Sequence, residues 1–305
     1  MEAQKSQVYI HQKPESFQSK MTKIFLVLTR AKGALKRILA HKKIRNDPAP
    51  IPKYFAKKYQ VTITTFAKRT LWTIGPKNGA SNQVIFYMHG GSYLYNVATL
   101  HWNFLAKMVD QAQATIVVAN YPIAPQATAN RAYSYLHKLY EQVLNDYQEQ
   151  EIIFMGDSAG GGLAIAFTQF LRDHHLTQPK QIIALSPWLD ITLRNPDIAF
   201  VDKDDKMLEA FSLREAGKLF AGDMDITDPR VSPIYGGFND LAKLSVFVGA
   251  HDIFVADCRK LRAKLEKENI AFNYYEYPKM LHTWALTSLK EAKIAFTQIV
   301  SLLED

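Results

Sequence analysis

The sequence predicts an α/β fold built on a doubly wound, mostly parallel sheet flanked by helices. Short runs rich in β-branched and aromatic residues recur at 84–88, 115–119, 152–155, 182–185, 244–248 and 272–277. Several are continuously apolar, as strands covered on both faces are. Between them lie stretches of helical spacing, and Ala132, Tyr135, Leu136, Leu139, Tyr140 and Val143 form the clearest face. Strands alternating with helices put ligand chemistry just beyond the carboxyl ends of the strands.

Taken in chain order, residues 1–58 read as an N-terminal helical region outside the sheet. Within 21–45, Ile24, Leu28, Leu35, Ile38 and Leu39 can form one apolar stripe opposite Lys23, Lys32, Lys36, Arg37, Lys42 and Lys43. The favoured reading is a cap helix whose stripe packs over a cleft. An interfacial helix held on anionic membrane by its basic face is the alternative. Residues 59–72 read as two strands of a hairpin, opening a domain that runs from 59 to 305. Leu261 with Leu265, then Ile294, Ile299, Leu302 and Leu303, mark two later helices. The stretch 190–233 carries the charge run Asp202 to Lys206 and no clear strand, so it reads as an insertion.

Length and composition bound the class: 305 residues, 48% hydrophobic and 22% charged, are ordinary globular material. The apolar run at 24–28 is far shorter than the roughly 18 residues a membrane span needs. The reading is therefore no signal peptide and no stable membrane insertion, with weak peripheral association left open. A single cysteine, Cys258, requires no oxidising compartment, and a cytoplasmic home is expected. The net charge of +8 is concentrated in the first 60 residues without a base-stacking module or metal finger, which argues against a nucleic-acid partner.

The chemistry lies in four short motifs. Gly156-Asp157-Ser158-Ala159-Gly160 follows one predicted strand and precedes a helix-like run. A sharp strand-to-helix elbow exposes the Ser158 hydroxyl, and the helix N-terminus adds positive potential. His89-Gly90-Gly91-Ser92 follows the strand at 84–88 and resembles the HGGG loop of lipases and esterases. There the N–H groups of Gly90 and Gly91, with that of Ala159, are expected to hold an oxyanion. A serine of ordinary pKa needs a base, and the base needs an acid. Asp252 follows the strand at 244–248 and His282 lies just after the next, which gives the chain order Ser, Asp, His. His101, His174, His175, His251 and Glu276 are weaker candidates by context, and Asp257 reads as a helix-start residue or a supporting partner.

With these motifs in order, the chain resembles the hormone-sensitive-lipase-like carboxylesterases over roughly residues 60–300. The resemblance also rests on Tyr121-Pro122-Ile123-Ala124-Pro125 and Ser186-Pro187-Trp188-Leu189-Asp190. It implies an α/β-hydrolase fold with a helical cap, and a serine hydrolase acting on small carboxylic esters of short to medium acyl chain. It implies no cofactor and no metal, and no cluster of His, Cys or carboxylates stands at ligand spacing in the sequence. The chain departs from the family pattern at Ser92, Gly162 and Trp284, none of which removes a catalytic atom. An amidase, thioesterase or acyltransferase could use the same triad, and a small-molecule receptor could use the same scaffold.

Overall fold

The computed structural model describes residues 6–41, 47–79 and 83–304. Lys42, Lys43 and Arg45, counted above among the basic residues, lie outside them. The chain opens with strand β1 (Gln7–Ile10), followed by helices α1 (Phe17–Leu28), α2 (Ala34–His41) and α3 (Tyr54–Lys58). A hairpin of β2 (Tyr59–Phe66) and β3 (Arg69–Pro76) comes next. Its two-residue turn, Ala67-Lys68, has both φ angles positive, the twist that joins adjacent antiparallel strands best.

Alternating strands and helices then build the core. They run β4 (Val84–Met88), α4 (Thr99–Ala112), β5 (Thr115–Ala119), α5 (Ala129–Asp146), β6 (Ile152–Asp157), α6 (Ala159–Asp173) and β7 (Gln181–Leu185). After α7 (Ile198–Val201) and α8 (Ala210–Ala221) come β8 (Lys243–Gly249), α9 (Val255–Lys267), β9 (Phe272–Tyr277) and α10 (Lys290–Glu304).

These strands form one nine-stranded sheet in the order β1-β9-β8-β7-β6-β4-β5-β3-β2. Only β3 pairs antiparallel, with β2 and with β5. Strand β4 shows why the apolar runs are continuous. Val84, Phe86 and Met88 pack in one layer with α5, α6 and α9, while Ile85 and Tyr87 pack in the other with α4 and α10. The chain leaves β4 for β5 on one side and returns to β6 on the other, so the strand order reverses between β4 and β6. In doubly wound sheets such a reversal is where ligand chemistry gathers, at the carboxyl ends of the strands.

Two expectations for the N-terminal region need correction. Residues 7–10 are not outside the sheet: β1 pairs parallel with β9, Val8 opposite Tyr274 and Ile10 opposite Glu276. The strand is four residues long and partly exposed, so it carries little apolar pattern, and its partner lies at the far end of the chain. The apolar stripe of 21–45 is also divided. Leu35 and Leu39 pack against the core, whereas Ile24 and Leu28 face solvent.

Candidate active site

The elbow between β6 and α6 holds Ser158 at φ 54° and ψ −123°, outside the regions an L-residue ordinarily adopts. Three backbone hydrogen bonds hold this conformation. The Ser158 N–H donates to Leu185 O (2.8 Å), and Ser158 O accepts from the N–H groups of Trp188 (2.9 Å) and Gly162 (3.1 Å). Packing permits the turn only because its neighbours lack side chains. A Cβ on Gly160 would meet the carbonyl oxygens of Met88 and His89, and one on Gly162 the carbonyl of Trp188. Gly162, a departure from the family pattern, is therefore demanded by its contact here.

His282 comes to this serine from the loop after β9. Its Nε2 lies 2.9 Å from Ser158 Oγ and its Nδ1 lies 2.9 Å from Asp252 Oδ2, with all three side chains buried. An ionised carboxylate only accepts, so Nδ1 carries the proton and Nε2 is left to accept from the hydroxyl. The second oxygen of Asp252 accepts the N–H of Phe254 at 3.1 Å. Burial alone would lower the His282 pKa, but the charge and hydrogen bond of Asp252, with Asp205 and Asp157 behind it, hold it above its ordinary value.

Asp205, within the charge run of the insertion, is fully buried. Its Oδ1 accepts the N–H groups of Met207 (2.7 Å) and Leu208 (2.9 Å), and its Oδ2 that of Ile253 (2.9 Å). It thereby ties the insertion to the turn that carries Asp252. Burial and the charge of Asp252 push its pKa up to about 6, against the pull of those three N–H groups. Neighbouring charges in sequence concealed it.

One of the expected oxyanion donors is already engaged. The Gly90 N–H is not available, because it donates to Asp157 Oδ1 at 2.9 Å. The same carboxylate accepts from Tyr87 Oη at 2.6 Å and from His101 at 3.3 Å. His101 Nδ1 accepts the Ala98 N–H, so its Nε2 must be the protonated nitrogen that faces Asp157. Burial would raise the Asp157 pKa, but His101 and these hydrogen bonds lower it overall. Beyond Gly90 the backbone turns left-handed three times in succession, with φ 122° at Gly91, 53° at Ser92 and 59° at Tyr93. Successive N–H groups in such a conformation form an anion-binding concavity. Those of Gly91, Ser92 and Ala159 make no hydrogen bond among the described residues. A Cβ on Gly91 would lie 2.6 Å from Tyr95 O, so glycine is required there.

The loop is secured by Tyr121, whose hydroxyl donates to His89 O at 2.6 Å. His89 stacks on the Tyr121 ring and donates from Nδ1 to Gly90 O, and burial lowers its pKa to about 4. Asp257 sits in the first turn of α9 and accepts from Asn195 Nδ2 at 3.0 Å, in keeping with the helix-start reading. His174 and His175 lie exposed at the end of α6, and Glu276 pairs with Arg259. Among the described residues no group of three or more His, Cys, Asp or Glu side chains is placed to hold a metal ion.

A family model for the α/β-hydrolase fold matches residues 85–286. An esterase of Acinetobacter venetianus is 28% identical over 224 residues, covering 72% of this chain and 74% of that protein. An acetyl-hydrolase of Streptomyces hygroscopicus is 27% identical over 203 residues, 66% of this chain and 68% of its own. The structure of a hormone-sensitive-lipase homologue from a metagenome library superposes with a TM-score of 0.81 at 22% identity, over 95% of this chain and 99% of that one. With the family model spanning most of its length and the strand order reversing at the serine elbow, the chain belongs to the α/β-hydrolase fold family.

Proposed function

We propose that this carboxylic-ester hydrolase works through Ser158 as nucleophile, His282 as general base and Asp252 as the residue that orients the base. The observation that carries this reading is the unbroken line of hydrogen bonds from Asp252 through His282 to Ser158 Oγ. In the proposed cycle Nε2 of His282 takes the hydroxyl proton as Oγ attacks the ester carbonyl. The same proton then goes to the departing alcohol, and water resolves the acyl-enzyme. The N–H groups of Gly91, Ser92 and Ala159 receive the oxyanion, where fixed dipoles in a dry site act most strongly. Supporting an ester substrate are the names of the relatives, an esterase and an acetyl-hydrolase.

Short to medium acyl chains are the proposed range, with the 190–233 insertion as a cap. Phe220 of α8 stacks on Tyr93 at 3.8 Å, and Tyr93 in turn on Trp188 at 5.5 Å, just beyond the oxyanion loop. A roof of packed aromatic rings leaves little length for an acyl chain. Turnover of p-nitrophenyl esters should peak at short to medium chains. Matched amides and thioesters should turn over much more slowly, and faster hydrolysis of emulsified long-chain triglycerides would contradict the reading. The buried lone thiol of Cys258 suits a cytoplasmic home.

Activity should fall on acidification as His282 gains its proton, with the midpoint above the ordinary histidine value of about 6.5. Replacing Asp205 by Asn removes one negative charge that favours the imidazolium, so the acid limb of kcat/KM should move to lower pH. A merely structural role for Asp205 would lower the plateau and leave the midpoint in place.

A further inference from the structure

Helix α1 turns its apolar residues outward. Phe17, Met21, Ile24, Phe25 and Leu28 recur at helical spacing on one face, with exposures of 46–78%, and only Ser19 of the helix is buried. The helix is nevertheless firmly held. Ser16 caps it and donates its N–H (2.6 Å) and hydroxyl (2.9 Å) to the Glu291 carboxylate of α10, and Lys23 pairs with Glu15 at 2.6 Å. The exposure therefore belongs to the folded state, and large apolar patches on folded proteins mark interaction sites.

Charge says what covers this one. Between residues 13 and 41 there are seven Lys and Arg and one acid, Glu15. Lys23 and Lys32 pair with Glu15 and Asp202, which leaves Lys13, Lys20, Arg30, Lys36 and Arg37 without an acidic partner among the described residues. The apolar surface continues beyond α1 in the same setting. Val27 borders a recess with Arg30, Arg37, Lys203 and Lys206, and exposed Phe211 lies under the Lys36 ammonium at 5.8 Å. Pairing with a second copy through this face would bring two basic rims together. An anionic lipid surface takes both features at once, with apolar side chains entering the headgroup region and cations meeting the lipid charge.

We propose that α1, with the adjoining Val27–Phe211 surface, docks the protein on anionic lipid–water interfaces. The recess beside Val27 includes Asp205, so the docked face adjoins the turn that carries Asp252. Docking does not depend on the reading of the triad, and a soluble-ester assay separates the two.

Truncation is a poor test because β1 belongs to the sheet. Instead, the wild type and two variants, Phe25→Ser/Leu28→Ser and Lys20→Glu/Lys36→Glu, would be sedimented with phosphatidylcholine vesicles, with and without phosphatidylglycerol. Thermal melts and turnover of a soluble short-chain ester would run alongside. The wild type should bind the anionic vesicles at least tenfold better, an advantage that fades with added salt over the range in which charges are screened. Each variant should lose that tenfold while soluble-ester turnover stays within twofold of the wild type. Equal wild-type binding to both vesicle types, or full binding by Phe25→Ser/Leu28→Ser, would overturn the proposal. A wild-type dimer in sedimentation velocity that Phe25→Ser/Leu28→Ser dissolves would replace it with self-association.

Discussion

Ser158→Ala is expected to lower kcat on a soluble ester by about five orders of magnitude, since members of a triad act as a unit and the attacking oxygen is gone. The fold should survive. Alanine keeps the Cβ, and the three backbone hydrogen bonds that hold the elbow involve no side-chain atom. What is lost besides the nucleophile is one hydrogen bond to His282 Nε2, worth on the order of 1 kcal/mol. A residual rate above that in water should remain, because the N–H groups of Gly91, Ser92 and Ala159 are untouched. Turnover and thermal melting measured on the same preparation check both halves of the expectation. Near wild-type turnover in a pure, folded variant would remove Ser158 from the mechanism.

Gly160→Ala should show the second large effect, and its sign makes it informative. In the first turn of an ordinary helix, replacing glycine by alanine stabilises by up to about 1 kcal/mol. At this position the new Cβ would run into the carbonyl oxygens of Met88 and His89, backbone atoms that cannot swing aside. Either α6 or the end of β4 must shift, at a cost of ~3 kcal/mol in stability. The same shift separates Ala159 from Gly91 and Ser92, which stand on opposite sides of that contact. Misplacing these proposed oxyanion donors by a fraction of an ångström should take a further ~100-fold from kcat/KM. Gly237→Ala is the control, since the nearest atom its Cβ would meet is the flexible guanidinium of Arg172 at 3.6 Å. Urea unfolding of the two variants should differ by several kcal/mol, and a Gly160→Ala protein as stable as the control would contradict the packing described.

The central strands were legible because burial on both faces writes an uninterrupted apolar run, as in Val84 to Met88. The elbow was legible because its glycines mark backbone contacts too close for any side chain. Ser158, Asp252 and His282 stand out by their places after strands, and the fold puts His282 within hydrogen-bonding distance of both Ser158 and Asp252. Other features leave no such trace. That the Gly90 N–H belongs to Asp157 depends on the direction of a single peptide unit. Asp205 is buried amid a run of charged neighbours, and local composition cannot tell a core carboxylate from solvated ones. Periodicity in α1 and α2 announces an apolar face without saying whether protein or solvent lies against it. Here Leu35 and Leu39 meet protein, and Ile24 and Leu28 do not.

The parallel pairing of β1 with β9 imposes an order on folding. Residues 7–10 are made long before their partner strand, which begins at Phe272, about 260 residues later. Among the described residues no other strand borders β1, so it waits unpaired until Phe272–Tyr277 has been made, while β4 to β8 can already assemble. The Ser16 anchor of α1 likewise waits for Glu291, later still. While the intervening segments are made, the chain therefore carries an unpaired strand and an apolar helix, a window in which a chaperone or a neighbouring nascent chain can reach them.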